Sequence, residues 1–142
     1  EIEVNGLTPG DYALLFDTLY KYGFLVKAES DKAKEVALWF RAKQGNGKYE
    51  FCWYYCGKAE HPDVTYETVK DKKTAQTLKI KFTFYARKKE NIIEGERKKL
   101  YAIIVDESNL LEEHTTAKEA IAEWFSEVQE YTPVPAQKEA EQ

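Results

Sequence analysis

Apolar and polar positions are most sharply patterned between residues 36 and 56, VALWFRAKQGNGKYEFCWYYC. Two apolar, aromatic runs flank the polar segment 43–48. Val, Trp, Phe and Tyr suit a pleated, half-buried surface. Gly45-Asn46-Gly47 supplies residues that accept positive φ, with Asn-Gly a strong hairpin signal. The stretch therefore predicts an antiparallel hairpin. Because side chains alternate along a strand, Phe51, Trp53 and Tyr55 share one face of its second strand. Cys52, Tyr54 and Cys56 share the other. Both faces are apolar or aromatic, so the strand is expected inside the protomer or beneath another subunit.

The remaining pattern is read around this hairpin. Residues 1–4 alternate acidic and apolar, as an edge strand does, and the pattern is expected to continue on its N-terminal side. Thr8-Pro9-Gly10-Asp11 marks a helix start: Thr8 as N-cap, Pro9 at the first helical position, Asp11 facing the free amides. Tyr12, Leu15, Phe16 and Leu19 recur at helical spacing, and Tyr22-Gly23 is expected to end the helix. Residues 24–28 predict a strand and 29–32 a charged turn. Pro62 bars a paired central strand after the hairpin, and 66–73 reads as a loop. Residues 77–87, TLKIKFTFYAR, alternate cleanly and predict one continuous strand. Leu78, Ile80, Phe82, Phe84 and Ala86 face one way; Lys79, Lys81, Thr83, Tyr85 and Arg87 face the other. A charged connection over 88–99 leads to a buried strand at 100–105 and an acidic loop at 106–114. Thr116 and Glu119 have capping-box spacing, opening a second helix over 117–131.

The fold class that follows is α+β, mainly an antiparallel β-sandwich or partly open barrel flanked by two short helices. A single domain is expected over 1–131, with a disordered polar tail over 132–142.

Composition sharpens this picture in three ways. Aromatic residues make up 14% of the chain and ten of them are Tyr, a residue that buries its ring and keeps its hydroxyl wet, as barrels and interfaces require. No apolar run approaches the ~20 residues of a membrane helix. Charge is unevenly spread: residues 70–99 hold eleven Lys/Arg against four acids, and residues 106–142 hold ten acids against two Lys. Such polarity suits head-to-tail packing of identical chains; a merely solvated surface is the plainer alternative.

No catalytic constellation stands out. There is no phosphate-binding Gly-rich loop, nucleophile elbow or HExxH motif. Cys52 and Cys56 lie too far apart on one strand to bridge, and with His61 and His114 they give no metal-ligand spacing. The reading is a protein that is not an enzyme and uses no cofactor or metal. The basic ladder Lys79, Lys81 and Arg87 admits nucleic-acid binding through the 70–99 segment, but without a zinc-finger or RNA-binding signature. An outer face or a ring-contact face is the competing reading, as is a ligand-binding module with an aromatic pocket around Trp39, Trp53 and Tyr54. Trp39, Phe51, Trp53 and Tyr55 are the candidate subunit-contact or core residues of the hairpin.

Several of these stretches together resemble the phage major tail protein family, the tail-tube subunits of long-tailed phages and prophages of Gram-positive bacteria. The resemblance runs from Glu1-Ile2-Glu3-Val4 and TPGDYALLF, through VALWFRAKQGNGKY and Gly57-Lys58, to TLKIKFTFYARK and Ile121-Ala122-Glu123-Trp124-Phe125. It covers roughly residues 1–131. Family members have further strands before the point where this sequence begins, residues 88–100 are longer and more basic than the family pattern, and Cys52 and Cys56 replace other residues. The resemblance implies a virion protein of the tail, assembled in the host bacterial cytoplasm. It implies homo-hexameric rings that stack into a DNA-delivery tube, with the tape measure and tail terminator proteins as further partners and no membrane. DNA then passes through without specific binding, so the Lys79, Lys81 and Arg87 face is expected outside the lumen.

Overall fold

The computed structural model describes residues 1–63 and 77–133. The loop expected at 66–73, and the tail beyond Pro133, lie outside the described residues. The chain is α+β, with mostly antiparallel strands and two α-helices among the described residues. No sheet closes on itself among them. Two compact units are formed, Glu1–Val36 with Cys56–Tyr85, and Ala37–Tyr55 with Ala86–Gln142.

In the first unit, β1 (Ile2–Val4) pairs antiparallel with β6 (Leu78–Ile80), Ile2 opposite Ile80 and Glu3 opposite Lys79. Helix α1 (Pro9–Phe16) begins as its sequence dictates. Thr8 Oγ1 accepts from the Asp11 N–H at 3.1 Å, and the Asp11 carboxylate accepts from the Thr8 N–H at 3.2 Å. The two partners satisfy orphan amides reciprocally. The helix ends earlier than its apolar spacing suggests, at Asp17 in the left-handed conformation. Leu19 therefore leaves the helical stripe and enters β2 (Leu19–Lys21), which pairs with β3 (Phe24–Val26). Tyr22-Gly23 is not a helix terminus but the two-residue loop of this hairpin, with φ of 53° and 82°. Positive φ at both positions is the type I′ geometry that matches strand twist.

The expected continuous strand 77–87 is two strands. β6 pairs with β1, whereas β7 (Phe82–Phe84) pairs with residues 57–59 of β5 (Tyr49–Ala59). Between them Lys81 turns its carbonyl to the Glu60 N–H at 2.7 Å. The periodicity was that of a strand throughout, but a change of partner interrupts the ladder. The core of this unit is Phe16, Ala59 and Ile80, with Leu15, Tyr12 and Phe82 packed against it.

In the second unit, residues 50–54 of β5 lie between β4 (Val36–Lys43) and β10 (Ala102–Asp106), with Ile103 opposite Trp53. The charged 88–99 segment is a hairpin, not a connection: β8 (Glu90–Ile93) pairs with β9 (Glu96–Lys99) through Glu94-Gly95, again with both φ positive. Helix α2 (Thr115–Ala122) starts at His114, not Thr116, and stops nine residues short of Tyr131. The His114 carbonyl already accepts from Lys118 N–H at 3.1 Å, so the helix begins before the expected capping box. At the other end Trp124 leaves helical spacing to fill the core. This core is Phe51, Trp53, Tyr55 and Trp124.

Candidate functional site

The site is the β4–β5 hairpin with the elements that hold it. Its loop has three residues. Gln44 N–H donates to the Lys48 carbonyl at 2.8 Å, Gly47 N–H donates to the Gln44 carbonyl at 3.1 Å, and Gly47 adopts φ 82°. This is a turn closed by a left-handed third residue, a role for which Gly, lacking Cβ, is suited. Asn46 does not take the positive φ it could accept. Its Oδ1 accepts from Lys48 N–H at 2.9 Å and its Nδ2 donates to Ser108 Oγ at 2.7 Å.

A short 3₁₀ turn, Glu107–Asn109, fastens the loop from below β10. Asp106 accepts from Gln44 Nε2 at 2.9 Å, from Ser108 N–H at 2.9 Å and from Asn109 Nδ2 at 2.6 Å. These donors, Gln44 foremost, hold its carboxyl below the ordinary value. Glu107 accepts from Tyr49 N–H at 2.9 Å. The hairpin tip is thus fixed by side chains from one end of the chain's acidic half.

The aromatic face is ordered by stacking. Trp39 lies on Trp53 with ring centroids 4.8 Å apart and 13° between planes; Phe40 and Tyr54 stack at 6.2 Å on the opposite face. Trp124 meets Phe51 and Trp53 edge-on at 5.6 and 6.2 Å, favourable geometries for rings with a negative face and positive edge. Its Nε1 donates to the Cys52 carbonyl at 3.3 Å. Of the four expected hairpin residues, Phe51, Trp53 and Tyr55 are buried, while Trp39 is 43% exposed and its neighbour Phe40 38%. Among the described residues no strand pairs with the outer edge of β4 or of β10.

Arg87 joins this cluster and leaves the basic ladder. Lys79 and Lys81 are exposed in the first unit, with Lys79 Nζ 3.7 Å from Glu1. Alternation slips after Phe84, and the Arg87 side chain is only 13% exposed in the second unit. Its guanidinium lies 3.8 Å from the centre of the Tyr55 ring and forks onto Glu130 at 2.8 and 2.5 Å. Asn91 accepts a further bond at 2.9 Å and Lys89 reaches Glu130 at 3.1 Å. The Arg87 hydrogen bonds hold the Glu130 carboxyl below its ordinary value against partial burial. The Tyr55 hydroxyl donates to the Gln129 carbonyl at 2.5 Å. Burial, then the Glu130 charge, pushes Tyr55 up to about 12.

No protein-family model, curated protein or solved structure matches the chain.

The chemistry of the site is therefore read from its own residues. Among the described residues no group of His, Cys, Asp and Glu could hold a metal ion. No helix among them is long and apolar enough to cross a membrane. Cys52 and Cys56 are free, and burial raises the Cys52 thiol, with Glu50 adding to the shift. A buried thiol pushed up in this way is a poor nucleophile. Glu130 and Gln129 escaped sequence reasoning because they lie far from their partners along the chain. The Xaa-Gly pairs at 22–23 and 94–95, each between residues of strand type, were the available signal for the two small hairpins. What the hairpin offers is a contact surface: a strand edge, unpaired among the described residues, bearing a large aromatic ring on each face.

Proposed function

We propose that the chain is a structural virion protein, a tail-tube subunit of a long-tailed phage that assembles into stacked hexameric rings around a DNA-delivery channel. The observation that carries this reading is the edge of β4, eight residues long and unpaired among the described residues, with Trp39 and Phe40 exposed on its two sides. An uncovered, apolar edge strand templates pairing with another chain. Among the described residues the same sheet is also unpaired at β10 on its far side. Unlike edges at opposite ends of one sheet allow identical chains to join β4 to β10. That contact is heterologous, and it closes into a ring when the rotation permits. The resemblance of VALWFRAKQGNGKY and TLKIKFTFYARK to tail-tube sequences supports the same assignment. Fixing of the hairpin tip through Gln44, Asn46 and Asp106 presents the edge in one geometry, lowering the ordering cost of assembly.

The test is the solution mass of the purified chain over a concentration series, with electron micrographs of the same samples. Six-membered rings or hollow tubes are expected, and Trp39→Lys, which places a charge on the open edge, is expected to abolish them while leaving the fold intact. Assembly of Trp39→Lys indistinguishable from wild type would remove β4 from the contact. Absence of rings and tubes at every concentration, also after the chain is extended at its N-terminus, would end the tail-tube reading.

A further inference from the structure

A second surface is left over once the β4 edge is assigned. The β2–β3 hairpin pairs with no other strand among the described residues. Opposed residues share a face in an antiparallel pair, so Leu19, Phe24 and Val26 lie together with Lys21 on one side. That side faces water: Phe24 is 72% exposed, Tyr22 at the turn 86%, and Leu19 and Val26 each half or more. A two-stranded ribbon of this kind is marginal by itself in water. A contiguous apolar patch on it marks an interaction site. Residues 19–27, LYKYGFLVK, contain two Lys and no acid.

The complementary feature is in the other unit. A groove of about 1080 Å³ runs between β10, α2 and the segment that follows it. Ile103, Val105, Ala117, Ala120 and Val128 give it an apolar lining. Six acids also line it and no Lys or Arg does. Glu130 is engaged by Arg87 and Lys89, and Asp106 by its hydrogen-bond donors. Glu113, Glu119, Glu123 and Glu127 are exposed and make no ion pair among the described residues. The volume is at or above the ~300–1,000 Å³ of small-molecule pockets, room enough for a hairpin with an apolar face.

We propose that the β2–β3 hairpin of one copy seats in the acidic groove of a second copy. The choice of a second copy rests on the self-assembly reading above; the fit rests on apolar surface meeting apolar surface, with Lys21 and Lys27 meeting Glu119, Glu123 and their neighbours. Because hairpin and groove differ, the contact is heterologous and propagates. On β10 it uses the side chains of Ile103 and Val105 rather than the strand's backbone edge, so it can join rings that the edges have closed. Its charged rim makes it weaken with salt.

The test is charge-swap complementation on the full chain, read by sedimentation. Lys21→Glu with Lys27→Glu, and separately Glu119→Lys with Glu123→Lys, are each expected to weaken self-association, and an equimolar mixture of the two is expected to restore it. Phe24→Ser, which removes an exposed ring without touching either core, is expected to weaken association by about tenfold or more, as central aromatic anchors do. Circular dichroism confirms that each variant is folded. Rings that persist with stacking unchanged in every variant would overturn the hairpin–groove contact and leave the tube reading standing. Swap-sensitive association without rings or tubes would keep the contact and remove the tube. A wild-type chain that stays monomeric at all concentrations would overturn the contact.

Discussion

Arg87 clasps Glu130 through both terminal nitrogens, at 2.8 and 2.5 Å, although the two are 43 residues apart. The fork is bidentate, the geometry in which a guanidinium and a carboxylate bind most strongly. Beneath it lies the Tyr55 ring, so the ion pair ties the chain's acidic end to the hairpin. Glu130→Gln keeps the shape and loses the charge, leaving the largely buried Arg87 side chain beside a neutral amide. A loss of about 2 kcal/mol is expected, measured by chemical denaturation at pH 7. An unchanged midpoint would show that the pair is only decorative.

The same pair sets a pH dependence. The folded Glu130 carboxyl titrates below its ordinary value of 4.5, because Arg87 favours the charged form. A carboxyl depressed in the folded state binds fewer protons than in the unfolded state. Its contribution is full above the unfolded pKa and is lost as pH falls through the folded one. Denaturation of wild type and Glu130→Gln should therefore differ most near neutral pH and converge on acidification below about pH 4. Asp106, also held low, gives the Gln variant a residual acid sensitivity of the same sign. A gap between the two proteins that stays constant down to pH 3 would place its origin elsewhere.

How far the sequence foretold this arrangement depends on how local the cause was. The α1 start was legible because Thr8, Pro9 and Asp11 act on amides within one turn. The central hairpin was legible from Gly45-Asn46-Gly47 between aromatic runs, and so was the burial of Phe51, Trp53 and Tyr55. The β2–β3 and β8–β9 hairpins were not, because Tyr22 and Glu94 take positive φ without the Asn or Asp that usually advertises it. The break between β6 and β7 was hidden for another reason. Leu78 to Phe84 alternates without a flaw, and only the partners, β1 and β5, differ. Arg87 read as one more rung of a ladder because nothing local signals a carboxylate 43 residues on.

Trp124 is fully buried and touches both Phe51 and Trp53 edge-on. Trp124→Ala leaves a large void under the sheet and frees the Cys52 carbonyl, and should cost ~3–5 kcal/mol. Trp124→Phe, which keeps most of the volume but loses one ring of the indole and its N–H donor, should cost clearly less. Thermal unfolding of the two variants orders them. Equal losses would mean that the bond to Cys52 outweighs the packing.

Gly57 carries a sharper steric condition. A Cβ built there would stand 2.4 Å from Phe84 Cδ1 and 2.8 Å from the Thr83 carbonyl oxygen. The ring could swing away, but the carbonyl belongs to β7, which is paired at this point with β5. Gly57→Ala should therefore cost about 1–3 kcal/mol, as overpacking does. Gly45→Ala, with nothing within 4 Å of its Cβ position and no positive φ, should be close to neutral. Denaturation of this pair separates a steric glycine from a permissive one; a neutral Gly57→Ala would mean that β7 yields without resistance.

The last prediction concerns the basic face. With Arg87 withdrawn, Lys79 and Lys81 remain of the ladder proposed for nucleic acid. They are not an isolated positive patch. β1 sets Glu3 opposite Lys79, and Glu1 lies 3.7 Å from the Lys79 ammonium. Phosphate binding grows with the number of phosphates neutralised, and log affinity falls with log salt by about 0.9 per phosphate contact. Two lysines, one of them beside an acid, supply little of this. Duplex DNA should therefore go unretarded by the chain at about 0.15 M salt, a physiological ionic strength, and Lys79→Glu with Lys81→Glu should change nothing in that assay. Such indifference suits a tube through which a duplex slides. Tight binding with a salt slope near −2, lost in the double variant, would assign the ladder to nucleic acid and favour a binding module over a tube subunit.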